Sequence, residues 1–231
     1  SSCTNEVDEF IGNVEPSTRS VSTALNANLA SLFTGGAPTL TSAEIKEVND
    51  AYAKMTSINS YRNIDEAVRN KTSYAGTIFL DDTYASAYFR KGSLAFPPYG
   101  ILASSMEHEF IHMYQRDVQG KKVDTDKEKR DTGMMEFELA FYQGIIRYIH
   151  AGYSWTFKGE DGHPSYQSLW TSGLTDPSLI PQYEREFQTY VASICANGKP
   201  TSIDINEFVK WSNIFGEYSR GYSGKGYKLS L

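Results

Sequence analysis

Polar and apolar positions divide the chain into a polar lead and a patterned remainder. Residues 1–20 are polar and irregular and read as an N-terminal tether, leaving 21–231 as a single domain. Thr41-Ser-Ala-Glu44 has the spacing of a capping box and predicts a helix through about Met55. A second helix is expected over Ile64–Asn70. Gly76–Leu80 and Ser93–Phe96 read as short strands, the second stopped by Pro97-Pro98. A helix is expected from about Ile101 to Asp117, because the run Ser105–Arg116 holds no Gly or Pro. Met106, Phe110 and Ile111 give that helix the apolar content of a buried one. Gln119–Thr132 is charged and irregular, either a loop over a cleft or a plain connection. Further helices are expected over 134–150, Pro181–Ala196 and near 204–215, and no strand is assigned to the Gly-, Tyr- and Ser-rich tail Gly216–Leu231. Two short strands among many helices predict an α+β fold, mostly helical, with a small sheet ahead of the 101–117 helix.

Composition narrows the functional classes. The 231 residues are 40% hydrophobic, enough for a substantial core. Mean hydropathy is -0.45, and no apolar run reaches the roughly 18 residues that a transmembrane helix needs. Net charge is -6 with no extended basic cluster, which argues against nucleic acid as a partner.

The informative stretch is His108-Glu109-Phe110-Ile111-His112, which holds two of the four histidines. On a helix, residues i and i+4 share one face, so both imidazoles can reach one metal ion. Glu109 lies beside that face, where a carboxylate can hold and deprotonate a water on the metal. This is the H-E-x-x-H arrangement of zinc hydrolases, which need a third protein ligand and one open position. A third His of the metzincin kind is excluded, since Gln115 and Val118 occupy the places of its Gly and His. The remaining common solution is a Glu on a later helix, and Gly133-Met-Met-Glu136-Phe-Glu138-Leu-Ala140 supplies two candidates.

With these two segments, roughly residues 101–146, the chain resembles the gluzincin metallopeptidases, and in particular small bacterial proteins with an E-x-E-A-like helix after H-E-x-x-H. The resemblance implies a zincin-like fold, a Zn²⁺ cofactor and a peptide or protein substrate. It also implies that the first Glu, Glu136, is the third ligand. Glu136 and Glu138 cannot both face the metal, being two residues apart on a helix. Glu136 stacks with Gly133, Leu139, Ala140 and Gln143, whose small members allow close approach to the motif helix. Glu138 stacks with bulky Met134, Met135, Phe141, Tyr142 and Ile145. Both lines favour Glu136, with Glu138 as the alternative ligand. Gluzincins often carry Asp or Asn four residues after the ligand Glu, where this chain has Ala140, so another group must orient a ligand histidine. In zincins the edge strand before the motif helix pairs with extended substrate. The resemblance implies that role for Ser93–Phe96, against the plainer reading of a core strand.

The chemistry follows from the ligand set. Zinc lowers the pKa of a coordinated water towards roughly 7. Glu109 is then the expected general base, delivering the proton to the leaving amine. His150, Tyr153, His163 and Tyr166 are candidates for stabilising the oxyanion, though about 1.5 Å of helix per residue separates His150 from Glu136 by some 20 Å. The two cysteines make no disulfide framework. Ser1-Ser-Cys3-Thr-Asn5 resembles the end of a lipobox, which implies lipidation at Cys3, export, and a membrane-anchored place in the periplasm or at the cell surface. Cys195 reads as a buried thiol. Two other readings stay open: a catalytically degenerate zincin-like domain that binds peptide or glycan, and a structural surface lipoprotein without metal.

Overall fold

The computed structural model describes residues 24–121 continuously, and beyond them 135–139, 141–143, 146, 182, 185, 186, 189, 190, 193, 194, 204, 206–208, 210 and 211. The tether with Cys3, the cysteine Cys195, the tail and the residues His150, Tyr153, His163 and Tyr166 lie outside the described residues.

The order is α1 (Ala27–Leu32), α2 (Ser42–Thr56), α3 (Asn59–Lys71), β1 (Ile78–Leu80), β2 (Tyr88–Arg90), β3 (Ser93–Phe96) and α4 (Ala103–Met113). A π-helical turn, Tyr114–Val118, continues α4. Residues 135–139, 141–143 and 146 are also helical, as are the described residues of 182–194 and 206–211. This is an α+β arrangement with its small sheet ahead of the motif helix.

The capping box forms as expected. Thr41 Oγ1 accepts from the Glu44 amide at 3.3 Å, and Glu44 Oε2 accepts from the Thr41 amide at 2.7 Å. Val48, Ala51, Tyr52 and Met55 then bury one face of α2 at helical spacing, and the Tyr52 ring reaches Phe110 of α4 at 6.2 Å. α3 begins five residues earlier than the pattern Ile64–Asn70 predicts (59 against 64), because Tyr61 extends its buried stripe of Ile64, Asp65 and Val68 by a turn. The carboxylate of Asp65, 1% exposed, accepts from the Tyr52 hydroxyl at 2.8 Å and pairs with Arg69 at 2.9 Å, joining α2 to α3.

The sheet departs from the expectation in one respect that bears on function. Its order is β1-β3-β2, with β1 parallel and β2 antiparallel to β3. Ser93–Phe96 is therefore the central strand and cannot accept a substrate on an edge; Leu94, Ala95 and Phe96 are buried. The antiparallel edge is β2, a three-residue strand that the sequence pattern did not reveal. It reaches β3 through Lys91 and Gly92, both at positive φ (51° and 78°), as a two-residue hairpin requires. Gly76 permits the approach of the chain entering β1, since a Cβ there would stand 2.2 Å from the Gly92 carbonyl oxygen.

α4 packs against α2, α3 and β2. The main core gathers α1 to α4 and the sheet, and Leu139 and Ile146 belong to it. On the other side Phe137 meets Phe208 in a tilted contact and Phe141 stacks on Tyr190.

Candidate metal centre

α4 carries the motif on a helix whose Met106, Phe110 and Ile111 are fully buried. These three anchor it, and His108 and His112, one turn apart, emerge on the opposite side. Their Nε2 atoms are 3.1 Å apart. The helix of residues 135–139 brings Glu136 to them: its Oε1 lies 3.1 Å from His112 Nε2 and its Oε2 3.7 Å from His108 Nε2. A four-coordinate zinc with bonds of about 2.0–2.2 Å separates adjacent tetrahedral ligand atoms by about 3.3–3.6 Å. The 3.1 and 3.7 Å separations run to different oxygens of the carboxylate, and one ligand atom from each of the three side chains lies within 4.8 Å of the other two. Two imidazoles and a carboxylate thus gather in a group that could hold a cation. Among the described residues these three form the one such group of potential ligands.

The site opens on one side. The side chains of His108 and Glu136 keep 37% and 38% of their exposure against 19% for His112, so solvent reaches the group past the first two. Glu109 sits deeper, at 5% exposure. Burial raises its carboxyl to about 7, the positive His112 pulls it down, the negative Glu136 pushes it up, and the Phe89 amide of β2 stabilises its charged form. It is therefore close to His112, to Glu136 and to the sheet edge. Burial, and then the charge of His112, lower His108 to about 4. His112 is itself shifted up: burial opposes its charge, but the hydrogen bond and charge of Glu136 outweigh burial. Burial likewise pushes Glu136 up, and its bond to His112 with the charges of both histidines holds it below the ordinary carboxylate value.

Glu138 is placed elsewhere. Its Oε2 accepts from Gln115 Nε2 at 2.8 Å and from Lys121 Nζ at 3.1 Å. Although it is buried, its carboxylate faces polar partners on the far side of the π turn instead of the apolar stripe expected for it. Of the two candidate carboxylates, Glu136 is the one the structure brings to the histidines.

Sequence reasoning did not name the group beside His112. It is Gln115, whose Oε1 lies 3.1 Å from His112 Nδ1. The signal was available, since Gln115 follows His112 by three residues on the same helix face. At the other end, Gln143 donates to the Ser104 carbonyl at 3.3 Å, so the helix of Glu136 runs antiparallel to α4 and is tied to it at both ends.

The π turn is fixed from outside. The Arg116 guanidinium pairs with Asp117 through Nε–Oδ1 at 2.8 Å and lies 4.4 Å above the Phe89 ring, while Asp117 accepts from the Tyr74 hydroxyl. This group binds the end of the motif helix to β2, the strand whose amide meets Glu109. Single π turns of this kind occur often at functional sites.

No protein-family model, curated protein or solved structure matches the chain.

Proposed function

We propose that the chain is a zinc-dependent peptidase of zincin-like, gluzincin-type architecture that hydrolyses peptide bonds. His108, His112 and Glu136 would hold the metal. The observation that carries this reading is the gathering of those three side chains, one ligand atom of each within 4.8 Å of the others, beside a buried Glu109. Bound zinc would supply Lewis acidity, polarising a carbonyl and making water acidic near neutral pH.

The chain's own residues do the rest. Glu109, buried beside the three side chains, would take a proton from water and return it to a leaving amine. The Phe89 amide steadies it from β2. The exposed sides of His108 and Glu136 leave the approach open to substrate. Since β3 is interior, β2 is the edge beside the site on which an extended peptide would align, by adding a strand to the sheet.

Ala140, in place of the Asp or Asn common after a ligand Glu, motivates the second reading, a degenerate domain that binds peptide without cleaving it. A mixed peptide library, incubated with wild type and Glu109→Gln at matched zinc content, separates the two. Cleavage by wild type that is lost in the variant supports the peptidase. No cleavage by wild type across neutral pH favours the binding domain.

A further inference from the structure

We propose that Gln115 is the positioning residue of this centre, fixing the ring of His112 and the helix of Glu136 with a single amide. The proposal rests on the metal reading given above. Gln115 is fully buried, at 0% exposure. Its Nε2 donates to the Met135 carbonyl at 3.1 Å and to Glu138 Oε2 at 2.8 Å. Those two acceptors engage both of its N–H bonds, so the amide cannot be turned over without opposing its oxygen to two others. Its Oε1 is thereby held 3.1 Å from His112 Nδ1, where it can only accept. With Nε2 taken by a metal ion, His112 would carry its proton on Nδ1, donated to Gln115; in the metal-free ring Glu136 Oε1, 3.1 Å from Nε2, competes for that proton.

The two anchors of Gln115 bracket the carboxylate ligand. Met135 precedes Glu136 and Glu138 follows it by two, so the side chain that orients one ligand also sets the register of the helix carrying another. Glu138 acts through Gln115, and Lys121 Nζ at 3.1 Å from the same Oε2 balances its charge. The orienting group for the ligand histidine thus comes from the motif helix itself, where Ala140 offers none. Partners of metal-bound histidines that set the tautomer in this way contribute about 10–100-fold to metal affinity.

Three proteins test this: wild type, Gln115→Leu, and the exchange variant Gln115→Glu/Glu138→Gln. The exchange keeps an acceptor at His112 Nδ1 and a donor–acceptor pair with residue 138 while giving up the bond to the Met135 carbonyl, whereas Gln115→Leu removes the acceptor. Zinc affinity is measured by competition with a chromophoric chelator. The His112 tautomer is read from ¹⁵N shifts of labelled histidine at alkaline pH, where the ring is neutral, in metal-free versions of the three proteins that also carry Glu136→Ala, so that no carboxylate competes for the proton at Nε2. We expect Gln115→Leu to bind zinc about 10–100-fold more weakly and to lose the Nδ1–H tautomer, and the exchange variant to recover both. Zinc affinity and tautomer unchanged in Gln115→Leu would overturn the proposal, as would an exchange variant that folds but recovers neither. Should Gln115→Leu fail to fold, the exchange variant alone decides. A wild type without zinc affinity would instead refute the metal reading, and the tautomer measurement would still judge Gln115.

Discussion

Glu109→Gln tests the site through stability as well as through turnover. The carboxyl is 5% exposed, and burial lifts it from 4.5 to about 7. Moving a carboxyl that far corresponds to about 3–4 kcal/mol at roughly 1.4 kcal/mol per pH unit. The folded value lies above the unfolded one. The stability that neutral Glu109 confers on the metal-free protein is therefore complete below the unfolded value and is lost as pH rises through the folded value. Between about pH 5 and pH 8 the metal-free wild type should lose up to about 3 kcal/mol through this group. Glutamine, nearly isosteric and without charge, keeps an acceptor for the Phe89 amide and avoids that loss. Metal-free Glu109→Gln should thus be more stable than wild type at about pH 8, by an amount that shrinks towards about pH 5. Its peptidase activity should fall by about 10²–10⁴-fold, near the upper end because the carboxylate serves two proton transfers. Urea unfolding of both chelator-treated proteins at the two pH values measures the first effect, and library cleavage the second. A stability difference that does not change with pH would refute the assignment of Glu109 as a desolvated carboxylate beside the ligands.

Other positions discriminate between parts of the account. Glu136→Ala should weaken zinc binding by at least about tenfold, whereas Glu138→Ala, which removes an acceptor of Gln115 and Lys121, should cost about 1–3 kcal/mol of stability and affect zinc less. A zinc titration showing the reverse order would transfer the ligand role to Glu138. Gly76→Ala places a Cβ 2.2 Å from a backbone oxygen, so the approach to β1 must shift; a loss of about 1–3 kcal/mol in denaturant unfolding is expected, and an unchanged midpoint would contradict the packing described. Thr41→Ala removes the capping box of α2 and should cost about 1 kcal/mol, checked in the same assay.

The motif and its helix were legible because their signals are local. Thr41 and Glu44 announce α2, and the i, i+4 histidines announce a shared face on α4. The start of α3 was not, because Asn59 and Ser60 are weak helix formers and Ile58 offers no side-chain cap; it is the burial of Tyr61 in the tertiary core that begins the helix there. β2 has only three residues and no long alternation, so β3 looked like an edge until its second neighbour was found. Glu138 illustrates a different limit. Its helical neighbours are bulky and apolar, yet its carboxylate reaches Gln115 and Lys121, partners brought near by a π turn that no periodicity announces. Gln115 itself was read for the glycine it replaces, and its function emerges only when residues 135–138 close over it.

The central claim is that His108, His112 and Glu136 hold one zinc ion. Elemental analysis of the purified protein, wild type beside His112→Ala with folding verified by circular dichroism, tests it most directly. The account predicts one zinc per chain in wild type and none in the variant. Zinc retained in full by folded His112→Ala, or absent from wild type supplied with the metal, would contradict it.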